Sequence, residues 1–369
     1  MSSEMGKLLK VSLFGESHGA GVGVCIDGLP AGEAVDADEL QRFLDRRRPH
    51  GGALSTRRVE RDAPEFLSGL RDGKTTGFPL CAFIRNGDVR SQDYDGFADT
   101  PRPSHADYTA AVRYGGHADM RGGGHFSGRL TAPLCVAGGI ALQVLSRRGI
   151  EIGAHLDAVG DAVDMRFDNV HLSAEDLHAP ASRELPVLDV DREAKMRAVI
   201  ERVREAGDSV GARVECAAIG LPAGVGSPMF DGVENRLAAA LFGIPAVRGV
   251  SFGAGFRAVG MRGSDHNDPF AMRDGRVVTT KNDAGGVLGG ITTGMPLIFE
   301  VAFKPTASIG IEQETVSLSQ GRDAFVSIAG RHDPCIGVRA VPVCEAVCAL
   351  VVLDLLLEQG GYGGFAASR

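Results

Sequence analysis

The sequence predicts a protein of mixed α and β class, and three observations support this class. Short apolar runs bounded by glycine or polar turns, such as Val11 to Phe14 and Val22 to Ile26, are typical of strands. Longer segments, such as 191–207, carry apolar residues at helical spacing. Strand-like and helix-like segments alternate along the chain, and similar strand–helix–strand material occurs at 11–55 and 210–255 without a clear repeat.

Length and composition describe an ordinary globular protein with many glycines. The 369 residues can bury a substantial core in one domain or two. Hydrophobic residues make up 44% and charged residues 23% of the chain, which is the usual range. The 51 glycines are about twice the usual share, but they are scattered without a repeat, which excludes collagen-like and low-complexity proteins. Many loops are therefore expected to be tight or to lie close to a ligand.

The charge balance argues against polyanionic partners. A net charge of −8 and a pI near 5.7 disfavour general affinity for nucleic acid or for an anionic membrane. We therefore expect no nucleic-acid partner and no membrane partner. Any anionic ligand must be bound by a local cluster of cations.

Cysteine usage and the termini predict a cytoplasmic protein. The seven cysteines contain no CxxC pair and lie mostly in apolar runs, so we expect reduced core thiols. The segment Met1 to Lys10 lacks a continuous apolar signal region. The longest apolar run, Ala346 to Leu353, is too short to span a bilayer.

The first predicted helix begins at Asp36, which with Glu39 forms a capping-box-like start. It ends in Arg46-Arg47-Arg48-Pro49. Cations at a helix C-terminus compensate the helix dipole, which is one explanation of the triplet. The other is an anion site, because arginine suits bidentate phosphate binding.

Residues 56–100 are predicted to form strands and loops with sharp turns at Gly73, Gly77 and Gly87. Ser104 is then expected to cap a short helix ending near Tyr114. His105 would lie in the first turn of that helix, either as a functional group or as a surface residue of the helix start.

Three consecutive glycines, 122–124, precede a predicted core helix from Leu130 to Arg148. Backbone N–H groups at a helix N-terminus bind phosphate well, so this segment is a candidate phosphate cradle.

The second half contains a poorly informative segment and several clear elements. Residues 150–188 look polar and loop-rich, with weak alternation. The clearer predictions are a helix from Asp191 to its stop at Gly207, a strand at 214–218, a helix opened by Asp231 with Glu234, a strand at 297–303 and a C-terminal helix from Val343 to Gln359.

The candidate chemistry centres on the turn 15–19, with the sequence Gly-Glu-Ser-His-Gly, at the end of the first strand. His18 can give or take a proton near neutral pH, although a histidine that only caps backbone groups is the alternative. Further along, Lys304 to Ile309 places a lysine, hydroxyls and a rigid proline at a strand end. That composition suits a phosphate-bearing ligand, and an ordinary polar turn is the alternative.

Motifs for other chemistries are missing from the sequence. The turn 15–19 matches GxSxG as a pattern, but Ser17 beside His18 is too close in sequence to act as a nucleophile–base pair, which argues against a hydrolase. No HExxH or Cys/His ligand spacing occurs, so no metal is expected. The glycine loop at 283–294 lacks the lysine of a P-loop and the spacing of a dinucleotide fingerprint. What remains is acid–base chemistry on an anionic small molecule, and residue spacing alone does not name the reaction.

Seven segments together resemble the chorismate synthase family, in family order from residue 9 to about 355. They are GESHG at 15–19, RRRP at 46–49, SQDY at 91–94, PRPSHADY at 101–108, AGGVLGGITTG at 284–294, KPTASI at 304–309 and GRHDPCIGVRAVP at 330–342. The resemblance implies conversion of 5-enolpyruvylshikimate 3-phosphate to chorismate and phosphate, with reduced FMN as cofactor.

The resemblance also implies an architecture and residue roles. The fold would be an α+β sandwich with a central helical layer between antiparallel sheets, as a single domain over residues 1–369, assembled as a homotetramer. His18 would protonate the departing phosphate, His105 would protonate or steady the reduced flavin, and Asp333 would assist the flavin N5 in removing the ring proton. The implied substrate-binding residues are Ser17, Arg47, Arg129 and Arg331. The implied flavin-binding residues are His125, Phe126, Ser127, Asn235, Gly285, Lys304, Pro305, Thr306, Ala307, Ser308 and Arg331.

The chain departs from the family pattern in three places. The usual GGGRSSARET is GGGHFSGRLT here, at 122–131. A second phosphate arginine aligns with Ala53, where Arg57 or Arg58 would have to substitute, and the usual Asn-His is Asn282-Asp283. Two alternatives therefore stay open, a phosphosugar- or nucleotide-binding regulator without catalysis and a catalytically altered member of the family. The sequence also leaves open whether the protein reduces its own flavin with NADPH.

Overall fold

The computed structural model describes residues 3–49, 54, 60–87, 99–328 and 333–365, with side chains up to 360. Several residues singled out from the sequence lie outside the described residues, namely Ala53, Arg57, Arg58, the segment 91–94 and Arg331.

Two five-stranded antiparallel sheets form the outer layers. The first has the strand order β1-β2-β3-β7-β4 and the second the order β11-β16-β10-β8-β9. The strands are β1 (Glu4–Met5), β2 (Lys10–Gly15), β3 (Gly21–Asp27), β4 (Glu65–Ser68), β5 (Leu70–Arg71), β6 (Lys74–Thr75), β7 (Leu80–Arg85), β8 (Glu151–Val159), β9 (Ala162–Val163), β10 (Ala212–Ile219), β11 (Val247–Phe252), β12 (Phe270–Arg273), β13 (Arg276–Thr279), β14 (Val287–Leu288), β15 (Ile291–Thr292), β16 (Leu297–Phe303), β17 (Gln313–Ser317) and β18 (Arg322–Val326).

The described residues form eight α-helices, of which the first, the third and the last make up the layer between the sheets. They are α1 (Ala37–Arg47), α2 (Asp107–Tyr114), α3 (Thr131–Ser146), α4 (Ala174–His178), α5 (Val190–Glu205), α6 (Val233–Leu241), α7 (Gly263–His266) and α8 (Gly337–Phe365). Helix α3 packs along α8, and α1 contacts both. On its other side α3 contacts β3 and β7, whereas α8 contacts β8 and β10. The α+β sandwich with a central helical layer is confirmed.

The central helices are apolar on all sides because both are enclosed. Gly138 of α3 lies so close to α8 that a Cβ on it would stand 2.2 Å from the Cβ of Ala346. Two segments, Gly128–Ser146 and Gly337–Gly360, are long and apolar enough to cross a membrane, but 89% and 94% of each is buried inside the protein. Their burial accounts for their composition. Helix α8 is also longer than the predicted 343–359.

Several local predictions are confirmed. Strands β2, β3, β10 and β16 and helices α1 and α3 lie where the sequence predicts them. Asp36 caps α1 by accepting a hydrogen bond from the N–H of Glu39 at 2.8 Å. Gly149, just after α3, has a φ of +74°.

Other local predictions are wrong. The segment 150–188, expected to be loop-rich, contains the nine-residue strand β8. This strand is covered on both faces and includes His155 and Asp157, so it shows neither alternation nor an apolar run. Helix α5 is capped by Asp189 rather than opened by Asp191. Helix α6 begins at Val233, after Gly232, rather than at Asp231.

Candidate active site

The turn between β2 and β3 carries Ser17 and His18, which are only 5% and 7% exposed. The backbone N–H of Ser17 donates to the carbonyl of Gly124 at 3.1 Å, which attaches the turn to the triple-glycine segment. The Ser17 hydroxyl is buried and has no hydrogen-bond partner among the described residues. A buried hydroxyl without a partner costs free energy, so this donor is available to a ligand.

The triple-glycine segment 122–124 lies between two of the predicted catalytic histidines. All three glycines have positive φ, at +62°, +90° and +54°. A Cβ on Gly122 would stand 2.5 Å from Cδ2 and Nε2 of His18, and a Cβ on Gly123 would stand 3.4 Å from Nε2 of His105. Glycine is therefore required here by both conformation and space.

The triple-glycine segment does not form the phosphate cradle that the sequence predicts. The N–H of Gly123 donates to the carbonyl of Met120 at 2.9 Å. Helix α3 begins only at Thr131, after two short 3₁₀ turns, so the glycines do not open the helix. The segment brings two histidines close to it instead of presenting a row of helix N–H groups.

His105 precedes helix α2, so the expectation that it lies in the first helical turn is wrong. Residue Ala106 occupies the N-cap position, and no side chain caps the helix. Ser104 does not cap it because its φ is +60°. Its carbonyl instead accepts a hydrogen bond from the Lys304 ammonium at 2.8 Å.

A buried carboxylate fixes the tautomer of His105. Nδ1 of His105 lies 2.7 Å from Oδ1 of Asp107. A carboxylate can only accept, so Nδ1 carries the proton and Nε2 faces Gly123. Arg102 binds both oxygens of Asp107, at 2.7 and 2.8 Å. Burial tends to raise the pKa of Asp107, but the hydrogen bonds from Arg102 and His105 outweigh it and hold that pKa below its ordinary value.

Two of the predicted substrate arginines share one buried carboxylate. Asp62, in the loop before β4, accepts from Nη2 of Arg47 at 2.6 Å and forms an ion pair with Arg129. Glu60 pairs with the same guanidinium of Arg129. Burial tends to raise the pKa of Asp62, but the two arginines lower it below its ordinary value. The four charges form one cluster, of which Arg47, Arg129 and Glu60 line the cavity.

The segment 304–308 joins two parts of the site. Ser308 accepts from Nη1 of Arg102 at 3.2 Å, while Thr306 donates to the carbonyl of Asp333 at 3.1 Å. Burial, with the charge of Arg248, lowers the pKa of Lys304. This segment therefore holds both the His105 turn and the Asp333 turn.

Arg339, in the first turns of α8, is a site residue that the sequence analysis missed. Its Nη1 donates to Oδ2 of Asp333 at 2.5 Å, and its Nε donates to the carbonyl of Arg47 at 2.9 Å. Nothing in the local pattern around Arg339 announces this role, because both partners lie in other turns of the chain.

These groups surround a cavity of about 890 Å³. His105, Asp333 and the triple-glycine residue Gly122 line it. The other predicted site residues on its wall are Arg47, Arg129, His125, Phe126, Ser127, Lys304, Pro305, Thr306, Ala307 and Ser308. The rest of the wall includes an apolar part, formed mainly by residues 242–247 with Met5 and Val347.

Four predicted residues lie off this wall. His18 and Ser17 lie directly behind Gly122. Asn235 accepts from the N–H of Gly232 at the start of α6, and Gly285 packs against the backbone of Gly253. Within the described part of the chain, no group of three or more His, Cys, Asp or Glu side chains could hold a metal ion.

The two residues that depart from the family pattern at 125 and 126 have defined surroundings. Nδ1 of His125 donates to the carbonyl of Gly15 at 2.8 Å, and its Nε2 accepts from the Ser3 hydroxyl at 2.7 Å. Phe126 is 39% exposed and packs against Tyr114, with ring centroids 6.3 Å apart. His125 thus connects the N-terminal segment to the base of the His18 turn.

Comparisons with known proteins agree with one another. A family model described as chorismate synthase matches residues 9–357. Chorismate synthase of Korarchaeum cryptofilum is 45% identical over 366 residues, covering 96% of this chain and 97% of that protein. Chorismate synthase of Thermococcus kodakarensis is 46% identical over 359 residues, covering 97% and 99%.

A solved structure extends the likeness to three dimensions. A crystal structure of chorismate synthase superposes with a TM-score of 0.76 at 27% sequence identity, covering 97% of this chain and 94% of that one.

Proposed function

The chain belongs to the chorismate synthase family, whose members are lyases, and from this premise we propose that it converts 5-enolpyruvylshikimate 3-phosphate to chorismate and phosphate with reduced FMN. The observation that carries the proposal is one cavity of about 890 Å³ whose wall holds His105, Asp333 and Arg129. The elimination needs a base, a phosphate-binding cation and a proton donor. The wall supplies the first two, and His18, directly behind Gly122, is the donor we assign.

The reaction breaks the C–O bond to the phosphate and removes one hydrogen from the ring, which leaves a new double bond. The departing phosphate needs positive charge and a proton. We assign the charge to Arg47 and Arg129, which line the cavity and share the partner Asp62, and the proton to His18. His18 lies behind Gly122, next to the buried Ser17 hydroxyl, which supplies a further hydrogen-bond donor on that side.

We assign the removal of the ring proton to Asp333. Arg339 and the Thr306 hydroxyl fix the position of Asp333, which makes its carboxylate a suitably held acceptor. The Nδ1–H of His105 donates to the Asp107 carboxylate, so Nε2 is the atom that can exchange a proton towards the cavity.

The described residues fit a flavin. The cavity volume is at the upper end of the range for ligand pockets, which leaves room for a cofactor beside the substrate. The polar segment Lys304 to Ser308, with His125, Phe126 and Ser127, would hold FMN, and the apolar part at 242–247 would suit a flat ring. Reduced FMN supplies electrons that ease loss of phosphate without net oxidation of the substrate. Asn235, Gly285 and Arg331 remain predicted contacts.

We also propose that the chain assembles as a homotetramer. Large apolar side chains stand on the surface of the single chain, including Phe230 (87% exposed), Phe256 (86%) and Val259 (89%). Contacts between subunits would bury the apolar surface of these side chains.

The test is anaerobic turnover of the purified protein with 5-enolpyruvylshikimate 3-phosphate and dithionite-reduced FMN. We expect chorismate and phosphate in equal amounts, with rates about 10²- to 10⁴-fold lower in His105→Ala and Asp333→Ala. His178→Ala is the matched control, because His178, the last residue of α4, contacts Glu151 on the surface. Binding of substrate and flavin without either product would refute the proposal.

A further inference from the structure

The side chain of Asn86 joins the two parts of the site that handle the phosphate. Asn86 follows the last residue of β7, and its N–H donates to the carbonyl of Ala20 at 3.2 Å, which extends the pairing of β7 with β3. The backbone of Asn86 is therefore fixed at the end of β7, and its side chain points into the His18 turn.

Three carbonyl oxygens of that turn converge on one nitrogen. Nδ2 of Asn86 lies 3.0 Å from the carbonyl of Glu16, 3.0 Å from that of Ser17 and 2.9 Å from that of Gly19. An amide NH₂ has two N–H bonds, so one of them is shared between two carbonyls. Without this donor, three carbonyl dipoles would face each other at the inside of the turn, which is unfavourable.

The other end of the same amide binds a cation of the phosphate site. Oδ1 of Asn86 accepts from Nε of Arg129 at 3.1 Å. This contact fixes the orientation of the amide, since the flipped group would place its oxygen against three carbonyls and its NH₂ against a guanidinium.

We propose that Asn86 is a positioning residue for the reaction. It fixes the position of the His18 turn relative to Arg129. The inference rests on the proposed function, in which the proton donor His18 and the phosphate-binding cation Arg129 must approach the same leaving group. Proton transfer and phosphate binding both lose efficiency steeply when groups move by about 1 Å. One carboxamide that holds both groups keeps their separation constant.

The two ends of the amide can be separated by substitution. Asn86→Asp keeps an acceptor for Arg129 but turns an oxygen towards the three carbonyls. Asn86→Ala removes both contacts. Asn86→Gln keeps both groups on a longer stem and is the conservative rescue. Gln143→Ala is the matched control, because Gln143 is also a buried carboxamide that binds backbone, at Asp36, far from this site along the chain.

Two readouts test the proposal, one of them independent of turnover. The first is the NMR titration of His18 in protein labelled with ¹³C at the histidine Cε1, its signal assigned by loss in His18→Gln. We expect the midpoint and the chemical shift of His18 to move in Asn86→Asp and Asn86→Ala and to stay unchanged in Gln143→Ala. The second is steady-state kinetics. We expect kcat to fall about 100-fold in Asn86→Asp with KM within threefold, a combined loss of kcat and rise of KM in Asn86→Ala, and partial recovery in Asn86→Gln.

The outcomes separate this inference from the proposed function. If wild type gives no product but the His18 signal still moves in the Asn86 variants, the proposed reaction fails while the positioning role stands. If wild type turns over and the folded Asn86 variants match it in kcat and in the His18 titration, the positioning role is refuted. If Asn86→Ala does not fold, Asn86→Asp and Asn86→Gln carry the same comparison.

Discussion

Gly122 lies against the edge of the His18 ring, at a distance that leaves no room for a Cβ. A methyl group there would stand 2.5 Å from both Cδ2 and Nε2 of the imidazole. Glycine at this position is what lets the triple-glycine segment pack against the turn 15–19 without displacing His18.

Gly122→Ala should therefore displace His18 and lower kcat by about 100-fold, because misplacement of a reacting group by about 1 Å has an effect of this size. The measurement is turnover with reduced FMN, with folding checked by thermal unfolding. Gly32→Ala is the control, since Gly32 also has a positive φ, at +86°, but open space around its Cβ. It should cost about 1–2 kcal/mol of stability and leave kcat unchanged. Equal kcat in the two variants would contradict the prediction.

Asp62→Asn should remove the carboxylate that Arg47 and Arg129 share. Removing one partner of a buried ion pair costs about 3–5 kcal/mol, because a charge is left unpaired. Inorganic phosphate should restore part of that stability, so the rise in Tm on adding phosphate should be larger in the variant than in wild type. Glu33→Gln is the control, because Glu33 likewise pairs with two arginines, Arg147 and Arg148. An equal phosphate effect in all three proteins would argue against a phosphate site at Arg47 and Arg129.

His155 should make stability depend on pH on the alkaline side. The ring is fully buried between Asp164, 3.1 Å from Nδ1, and Glu215, 2.9 Å from Nε2. Burial tends to lower the pKa of His155, but the two carboxylates raise it above its ordinary value. Because the pKa is raised in the folded state, protonated His155 stabilises the folded protein. This contribution is fully present below about pH 6.5, the pKa of histidine in the unfolded chain, and is lost as pH rises through the folded-state pKa.

The check is chemical unfolding of wild type and His155→Gln as a function of pH. The difference in free energy of unfolding should be largest at pH 6 and should shrink towards alkaline pH. A difference that is constant from pH 6 to pH 10 would mean that the charge of His155 contributes nothing.

Arg339→Met should lower kcat through Asp333, because the guanidinium holds that carboxylate at 2.5 Å. We expect a loss of 10-fold or more in chorismate formation, with a folded protein by circular dichroism. Arg197→Met is the control, as Arg197 pairs with Glu184 and Glu193 at the surface. If Arg339→Met turned over at the wild-type rate, Arg339 would have no role in catalysis.

The sequence predicted those parts of the molecule that depend on nearby residues. Strands β2 and β3 with the turn between them, and the segment 304–308, are local patterns of apolar runs and turn residues. The sandwich architecture was predicted from the resemblance to a known family, because no local sequence pattern specifies it.

What the sequence did not predict depends on distant partners. Asn86 binds residues about 70 positions earlier, and Arg339 binds the backbone of Arg47, 292 positions away. Asp62 acquires its role only when α1 and the 3₁₀ turn before α3 bring two arginines to it. Strand β8 was missed because polar residues satisfied by a buried network look, in the sequence, like a solvent-exposed loop.

The crystal structure of the protein with FMN and 5-enolpyruvylshikimate 3-phosphate tests the central claim most directly. The account predicts both ligands in the cavity between His105 and Asp333, with the flavin along 304–308 and the substrate phosphate within hydrogen-bond distance of Arg129. Ligands bound outside this cavity, away from both His105 and Asp333, would contradict it.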